Sequence, residues 1–193
     1  MLIQHLTSRY HKTNLSVITE RCSQFLEESE GEPLLKNLSR DYSHLHKVKA
    51  RKRNVSGEFA TAFNEAFEAY EDDLCQKAIF ANGISSFTPS IGEGLEPFYV
   101  FPIDGYNFLY SAEVECSSAD HKQVFDTMFE QFGVDKGKTL VLEFLKFAYK
   151  QTSLKEGIER GSEIILFNIP YYYAVRASMH EYSTLLTLIS NNK

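Results

Sequence analysis

The sequence has no tryptophan, and its 193 residues include only 3 cysteines, 3 methionines and 5 prolines. Cys22, Cys75 and Cys116 lie far apart, and bridging two of them would leave the third over, so no disulfide framework is expected and a reducing, intracellular setting fits. No stretch approaches the roughly 18 to 20 apolar residues that span a bilayer. The opening Met1-Leu2-Ile3-Gln4-His5 lacks the charged segment followed by an apolar one that marks a secretory leader. The chain is therefore expected to be soluble, unprocessed and without a membrane partner, either cytoplasmic or incorporated into a virus particle. No internal repeat or low-complexity segment occurs. Gly92-Glu93-Gly94 lacks the Gly-Lys-Ser/Thr ending of a phosphate loop, and no Gly-x-Ser-x-Gly elbow is present.

What is present is aromatic and unevenly charged. A composition of 43% hydrophobic and 24% charged residues is ordinary for a globular domain, and with 15 Phe and 11 Tyr the core is expected to be rich in rings. The formal net charge is -6, yet Lys47, Lys49, Arg51, Lys52 and Arg53 place five positive charges within seven residues, leaving -11 for the rest. Charge segregated in this way usually meets an anionic partner: a phosphate backbone, an acidic protein, or an acidic ridge of the same chain.

Apolar spacing predicts helices near the N-terminus. Leu15, Ile18, Cys22, Phe25 and Leu26 fall at helical intervals behind Thr13 or Asn14, and a second short helix runs through Leu34, Leu35 and Leu38. The clearest helical stripe, Phe59, Phe63, Ala66, Phe67, Tyr70 and Leu74, predicts a helix from about Ser56 to Ala81 that stops near Asn82-Gly83. Its opposite face carries Glu58, Glu65, Glu68 and Asp72, an acidic ridge within reach of the basic run. Residues 83–96 hold three glycines and a proline and read as a long loop, either a functional lid or a mobile connection.

Beyond that loop, Phe98 to Ile103 and Asn107 to Val114 read as strands joined by Asp104-Gly105-Tyr106, a hairpin signal that predicts antiparallel pairing. A helix capped near Ser117, Ser118 or Asp120 follows, ending at Gly133. A helix over Lys138 to Tyr149 is apolar over an arc wide enough for burial on more than one side. A short helix through Leu154 and Ile158, strands at Glu163 to Ile169 and Tyr171 to Ala177, and a weak terminal helix complete the pattern. The expected fold is a single α+β domain over 1–193. Its helical N-terminal layer covers about 1–82, a loop 83–96, and a layer of strands and helices about 97–193, with a mainly antiparallel sheet of about four strands.

Three features carry candidate chemistry. On an exposed strand or extended loop, Lys47, Lys49, Arg51 and Arg53 share one face, with Val48 and Ala50 turned inward, a spacing suited to phosphates or carboxylates. Tyr171 and Tyr173 share a strand face opposite Tyr172, which suits an aromatic protein contact. Glu113 and Glu115 flank Val114 on the same side of a strand, a pair that resembles the Glu-x-Glu of mono-ADP-ribosyltransferases. No Ser-Thr-Ser segment accompanies it, and it precedes two long helices instead of sitting late in the fold. His44-Leu45-His46 turns two imidazoles the same way without further ligands at a recognisable spacing, and Thr184 stands where a helical zinc motif starting at His180 needs its second histidine, so no metal site and no cofactor are expected.

Together these features point to a non-enzymatic assembly or protein-interaction component of a larger complex, such as a viral structural or accessory protein, with a protein partner or a homo-oligomeric state. The alternatives are a nucleic-acid-associated protein using residues 47–53 and a transferase using Glu113 and Glu115.

Overall fold

The computed structural model describes residues 15–50, 58–70, 72–89, 94–111 and 119–191. Residues 15–21 form helix α1, and Cys22, at φ -130°, bends the chain into α2 (Ser23–Glu28). Leu15, Ile18, Cys22 and Phe25 are all buried, as their spacing predicts. The Cys22 thiol reaches the Phe101 carbonyl at 3.5 Å, and burial pushes its pKa well above the ordinary thiol range, so it is an inert packing group.

The strands are β1 (Leu34–Ser39), β2 (Leu45–Lys49), β3 (Ile79–Gly83), β4 (Leu95–Pro102), β5 (Asn107–Ser111), β6 (Tyr149–Lys150), β7 (Glu163–Phe167) and β8 (Tyr171–Arg176). They form one sheet in the order β2-β8-β4-β1-β3-β7-β5-β6, and every neighbouring pair is antiparallel. The fold is thus α+β as expected, but with eight strands instead of about four. Two of them, β1 and β3, fall in segments expected to be helical, while β2 is a strand where the basic run was expected on an exposed strand or extended loop.

Two misread segments share one cause. Leu34, Leu35 and Leu38 fit a helical stripe, yet they form β1, where Leu34 and Leu35 are buried on opposite faces of the sheet. A strand covered on both sides shows no alternation, and over so short a length it mimics a helix. The helix expected from Ser56 to Ala81 is α3 (Glu58–Phe67), a turn, α4 (Leu74–Lys77) and then β3. Asp73 stops the helical path by adopting a left-handed conformation, φ 57°, and Ala78, extended at ψ 155°, starts the strand. The Asn82-Gly83 stop therefore ends a strand, and Ser56 lies outside the described residues.

The expected hairpin between β4 and β5 is absent. Both strands exist, but β4 pairs with β1 and β8 while β5 pairs with β7 and β6. The Asp104-Gly105 turn is committed elsewhere. The Asp104 amide donates to the Arg21 carbonyl at 2.7 Å. Its carboxylate accepts from the Gln24 amide at 2.8 Å and the Ser23 hydroxyl at 3.0 Å, and the Gly105 amide donates to the Gln24 side chain at 2.9 Å. Asp104 thereby caps α2, whose own N-cap residue Cys22 supplies no side-chain bond. Gly105, at φ 90°, takes the left-handed backbone this connection requires.

The helices α5 (Ala119–Phe132), α6 (Val134–Ala148), α7 (Leu154–Glu159) and α8 (Tyr182–Ser190) lie where helices were expected, although Phe132 of α5 is exposed, and a 3-10 turn, Ala177–Met179, precedes α8. One hydrophobic cluster joins α1, α2, α7 and α8 to both ends of the sheet, with Phe108, Tyr110, Ile164 and Leu166 among its members. A second joins α3, α4, α5 and α6 to Leu109, Ile165 and Phe167, the alternate residues of the same strands. β5 and β7 are therefore buried on both faces. On α6, which packs against both α3 and α5, Val141, Leu145 and Ala148 are buried and Leu142 and Phe144 partly so, while Phe147 of the wide apolar arc is 76% exposed.

Asp104→Ala removes the cap that reaches α2 from about eighty residues away in sequence. Urea unfolding is expected to show a loss of about 1 kcal/mol, whereas Asp41→Ala, an exposed turn substitution, stays within about 0.5 kcal/mol.

Candidate binding surface

β2 is an edge strand, and its position is set from its neighbour β8. Arg176, the last residue of β8, donates to the Glu96 carboxylate at 2.6 Å and to the carbonyls of Arg40 and Tyr42 at 2.7 and 2.6 Å. Its guanidinium also lies over the Phe98 ring, 5.5 Å from the centroid. These bonds fix the loop that delivers the chain from β1 to β2. Tyr42 then stacks on His46 with centroids 4.1 Å apart.

The register that follows is Leu45↔Val175, His46↔Ala174, Lys47↔Tyr173, Val48↔Tyr172 and Lys49↔Tyr171. Directly paired residues of an antiparallel ladder project to the same side. Lys47, Lys49, Tyr171 and Tyr173 therefore occupy one face, while Val48 and Tyr172 are buried on the other. Lys47 and Lys49 thus share a surface with Tyr171 and Tyr173, more than 120 positions away in sequence. The Lys47 ammonium sits 3.7 Å from the centroid of Tyr171, and the rings of Tyr171 and Tyr173 meet edge to face at 5.8 Å. Tyr171 is half-buried, and a cation over such a ring gains on the order of 1 kcal/mol, enough to orient Lys47. Burial pushes the Tyr173 hydroxyl above its ordinary pKa, with Tyr171 adding to the shift, and the nearby Arg21 guanidinium acts in the opposite sense.

One strand inward the same face is closed. Phe101, paired with Tyr173, meets Phe25 of α2 edge to face and stacks near Tyr182 of α8. Among the described residues the helical cover ends there, and Lys47 and Lys49 are exposed. Neither lysine forms an ion pair with a described residue, and Glu65 of the acidic ridge is bound instead by Lys138 at 2.7 Å. His46 falls on the Val48 side, away from the lysines. His44 meets His180 with ring centroids 5.4 Å apart. Among the described residues no group of three His, Cys, Asp or Glu is arranged to hold a metal ion, and no helix is long and apolar enough to cross a membrane.

Arg51, Lys52 and Arg53, and Glu113 and Glu115, lie outside the described residues. Gly137-Lys138-Thr139 has the letters that end a phosphate loop, but it lies inside α6 and follows another helix. There Gly137 admits the α5 backbone at Phe129, and the Thr139 hydroxyl donates to the Asp135 carbonyl. A cavity of about 180 Å³ opens beside Lys36, Tyr42, Val48, Lys49 and Tyr172, at the Val48 side of β2. It is below the roughly 300 Å³ at which ligand pockets begin, and the Lys36 ammonium there already donates to the Phe80 carbonyl. The chain matches no known protein family, no curated protein and no solved structure.

The two sides of β8 make opposite demands on substitution. Tyr172→Ala, at a buried site, is expected to cost about 3 to 5 kcal/mol in urea unfolding, while Tyr171→Ala and Tyr173→Ala cost about 1 kcal/mol or less. Equal losses at all three positions would contradict the two-faced strand.

Proposed function

We propose that this chain is a protein-interaction component that engages an acidic partner through the basic and aromatic face of β2 and β8. The observation that carries the reading is the β2–β8 register, which sets the exposed Lys47 and Lys49 beside the half-buried Tyr171 and Tyr173. Tyrosine is a preferred anchor of protein interfaces because it offers large apolar area with few rotatable bonds and a polar tip. The lysines select for negative charge and speed the encounter in a chain that is otherwise acidic. A multi-subunit complex, of which a virus particle is one example, is a setting for such a surface. Nucleic acid suits the cations but fits the rings less well, because the Lys47 ammonium already occupies a face of Tyr171, the place where a base would stack.

The test compares binding of poly-glutamate and of a single-stranded oligonucleotide of matched charge, across a salt series. It is repeated on a variant with Lys47, Lys49, Arg51, Lys52 and Arg53 all changed to Gln. Binding of the acidic polypeptide that is lost in the variant is expected. Tighter binding of the oligonucleotide, falling steeply with salt, would replace this reading with the nucleic-acid one. Indifference to the five substitutions would remove the surface from consideration.

A further inference from the structure

β2 presents more than side chains. The Arg176 amide donates to the His44 carbonyl and the Ala50 amide donates to the Pro170 carbonyl, both at 2.9 Å. In an antiparallel ladder the residues that bond the neighbouring strand alternate with residues whose N–H and C=O point away. His44, His46, Val48 and Ala50 therefore turn their main chain toward β8, and Lys47 and Lys49 turn theirs outward. Among the described residues no strand pairs with that outer edge. The Leu45 carbonyl, which also faces outward, is taken by the Ser43 hydroxyl at 2.6 Å, so the open stretch begins at Lys47. At the far end of the sheet β6 is only 2 residues long, too short to accept a partner strand.

We infer that the outer edge of β2 is a site of strand addition, at which an extended acidic segment of another protein pairs with the main chain of Lys47 and Lys49 and sets carboxylates at alternate positions against their ammonium groups. The inference rests on the interaction reading above and specifies how the partner docks. Alternate side chains of a strand repeat about every 6.7 Å, so the carboxylates of an extended Glu-x-Glu segment match the spacing of Lys47 and Lys49. A phosphate backbone accepts hydrogen bonds but donates none, which leaves the outward carbonyls unmatched. A peptide strand satisfies both kinds of group. A second copy of this chain is disfavoured at this edge, because two β2 strands meeting antiparallel bring lysines opposite lysines, and like charges directly across a ladder repel. The lysines thus guard the edge against indiscriminate pairing and admit one class of strand.

The probe is a synthetic peptide with Glu at alternate positions and Thr or Val between. It is compared with a peptide of the same composition whose glutamates are contiguous, and with the alternating peptide N-methylated at the residue that faces Lys47. Affinity is read by fluorescence anisotropy, and docking by hydrogen exchange at the Lys47 and Lys49 amides, which exchange fast on an open edge. The alternating peptide is expected to bind and to protect both amides. Rearranged charge, N-methylation, Lys47→Gln with Lys49→Gln, and Lys47→Glu with Lys49→Glu should each weaken binding about tenfold or more. Equal binding of all three peptides with both amides unprotected would overturn strand addition while leaving an acidic partner in place. Failure of every acidic probe alongside oligonucleotide binding would overturn both readings. A dimer by light scattering that the alternating peptide dissolves would assign the edge to a second copy of the chain instead.

Discussion

Almost nothing in this sheet is held together locally. The pairings β1–β4, β4–β8, β2–β8, β3–β7 and β5–β7 all join strands that are not consecutive in the chain, and β5 and β6, which are consecutive, are separated by α5 and α6. Among the described residues no tight hairpin nucleates the sheet. Its assembly depends on closing long loops before the ladder bonds compensate for them, which is the slow regime of folding. The Asp104 turn supports this arrangement: by capping α2 it holds the end of β4 beneath the N-terminal helices and lets the chain travel on to β5 at the other side of the sheet. Helices then cover the sheet from opposite sides, giving two hydrophobic clusters that share β5 and β7.

Legibility in the sequence follows from that non-local character. α1, α2, α5, α6, α7 and α8 were readable because a helix buries a stripe set by its own spacing. The strands at 95–111 and 163–176 were readable as segments, since aromatic and β-branched runs bounded by Gly, Pro and Asp are local signals too. Their partners were not. Asp104-Gly105 has the letters of a hairpin turn and is used as a helix cap, and only the position of Ser23 and Gln24 in space decides between those uses. β1 and β3 were missed for a second reason: Leu34 and Leu35, like Ile79 and Phe80, serve opposite faces of a covered sheet, which erases the alternation that marks a strand.

The candidate surface divides in the same way. The charge of Lys47 and Lys49, the alternation of Tyr171 to Tyr173 and the inward turn of Val48 were all visible as separate features. Their meeting depends on Lys47 lying across from Tyr173, a register that no local rule supplies. A slip of one residue would place His46 and Val48 beside Tyr171 and Tyr173 and bury both lysines. Arg176 opposes such a slip because its bonds to Glu96, Arg40 and Tyr42 fix the start of β2 relative to β8 and β4. Of the acidic ridge that the basic run was one candidate to meet, Glu65 is committed to Lys138, and Lys47 and Lys49 form no ion pair with it.

An edge strand exposes main-chain groups to any passing chain, and lysines on it are a common safeguard. Here the safeguard has a sign. Lys47 and Lys49 repel a second basic edge and cost a neutral strand the desolvation of two ammonium groups without compensation, yet they are complementary to carboxylates at strand spacing. Lys47 is also held over Tyr171, so part of the side-chain entropy that binding would remove is already lost in the free protein. The residues that protect the edge are therefore also those that make one kind of partner favourable. On the proposal above, Lys47 and Lys49 act twice at this edge, repelling a second basic strand and matching an acidic one.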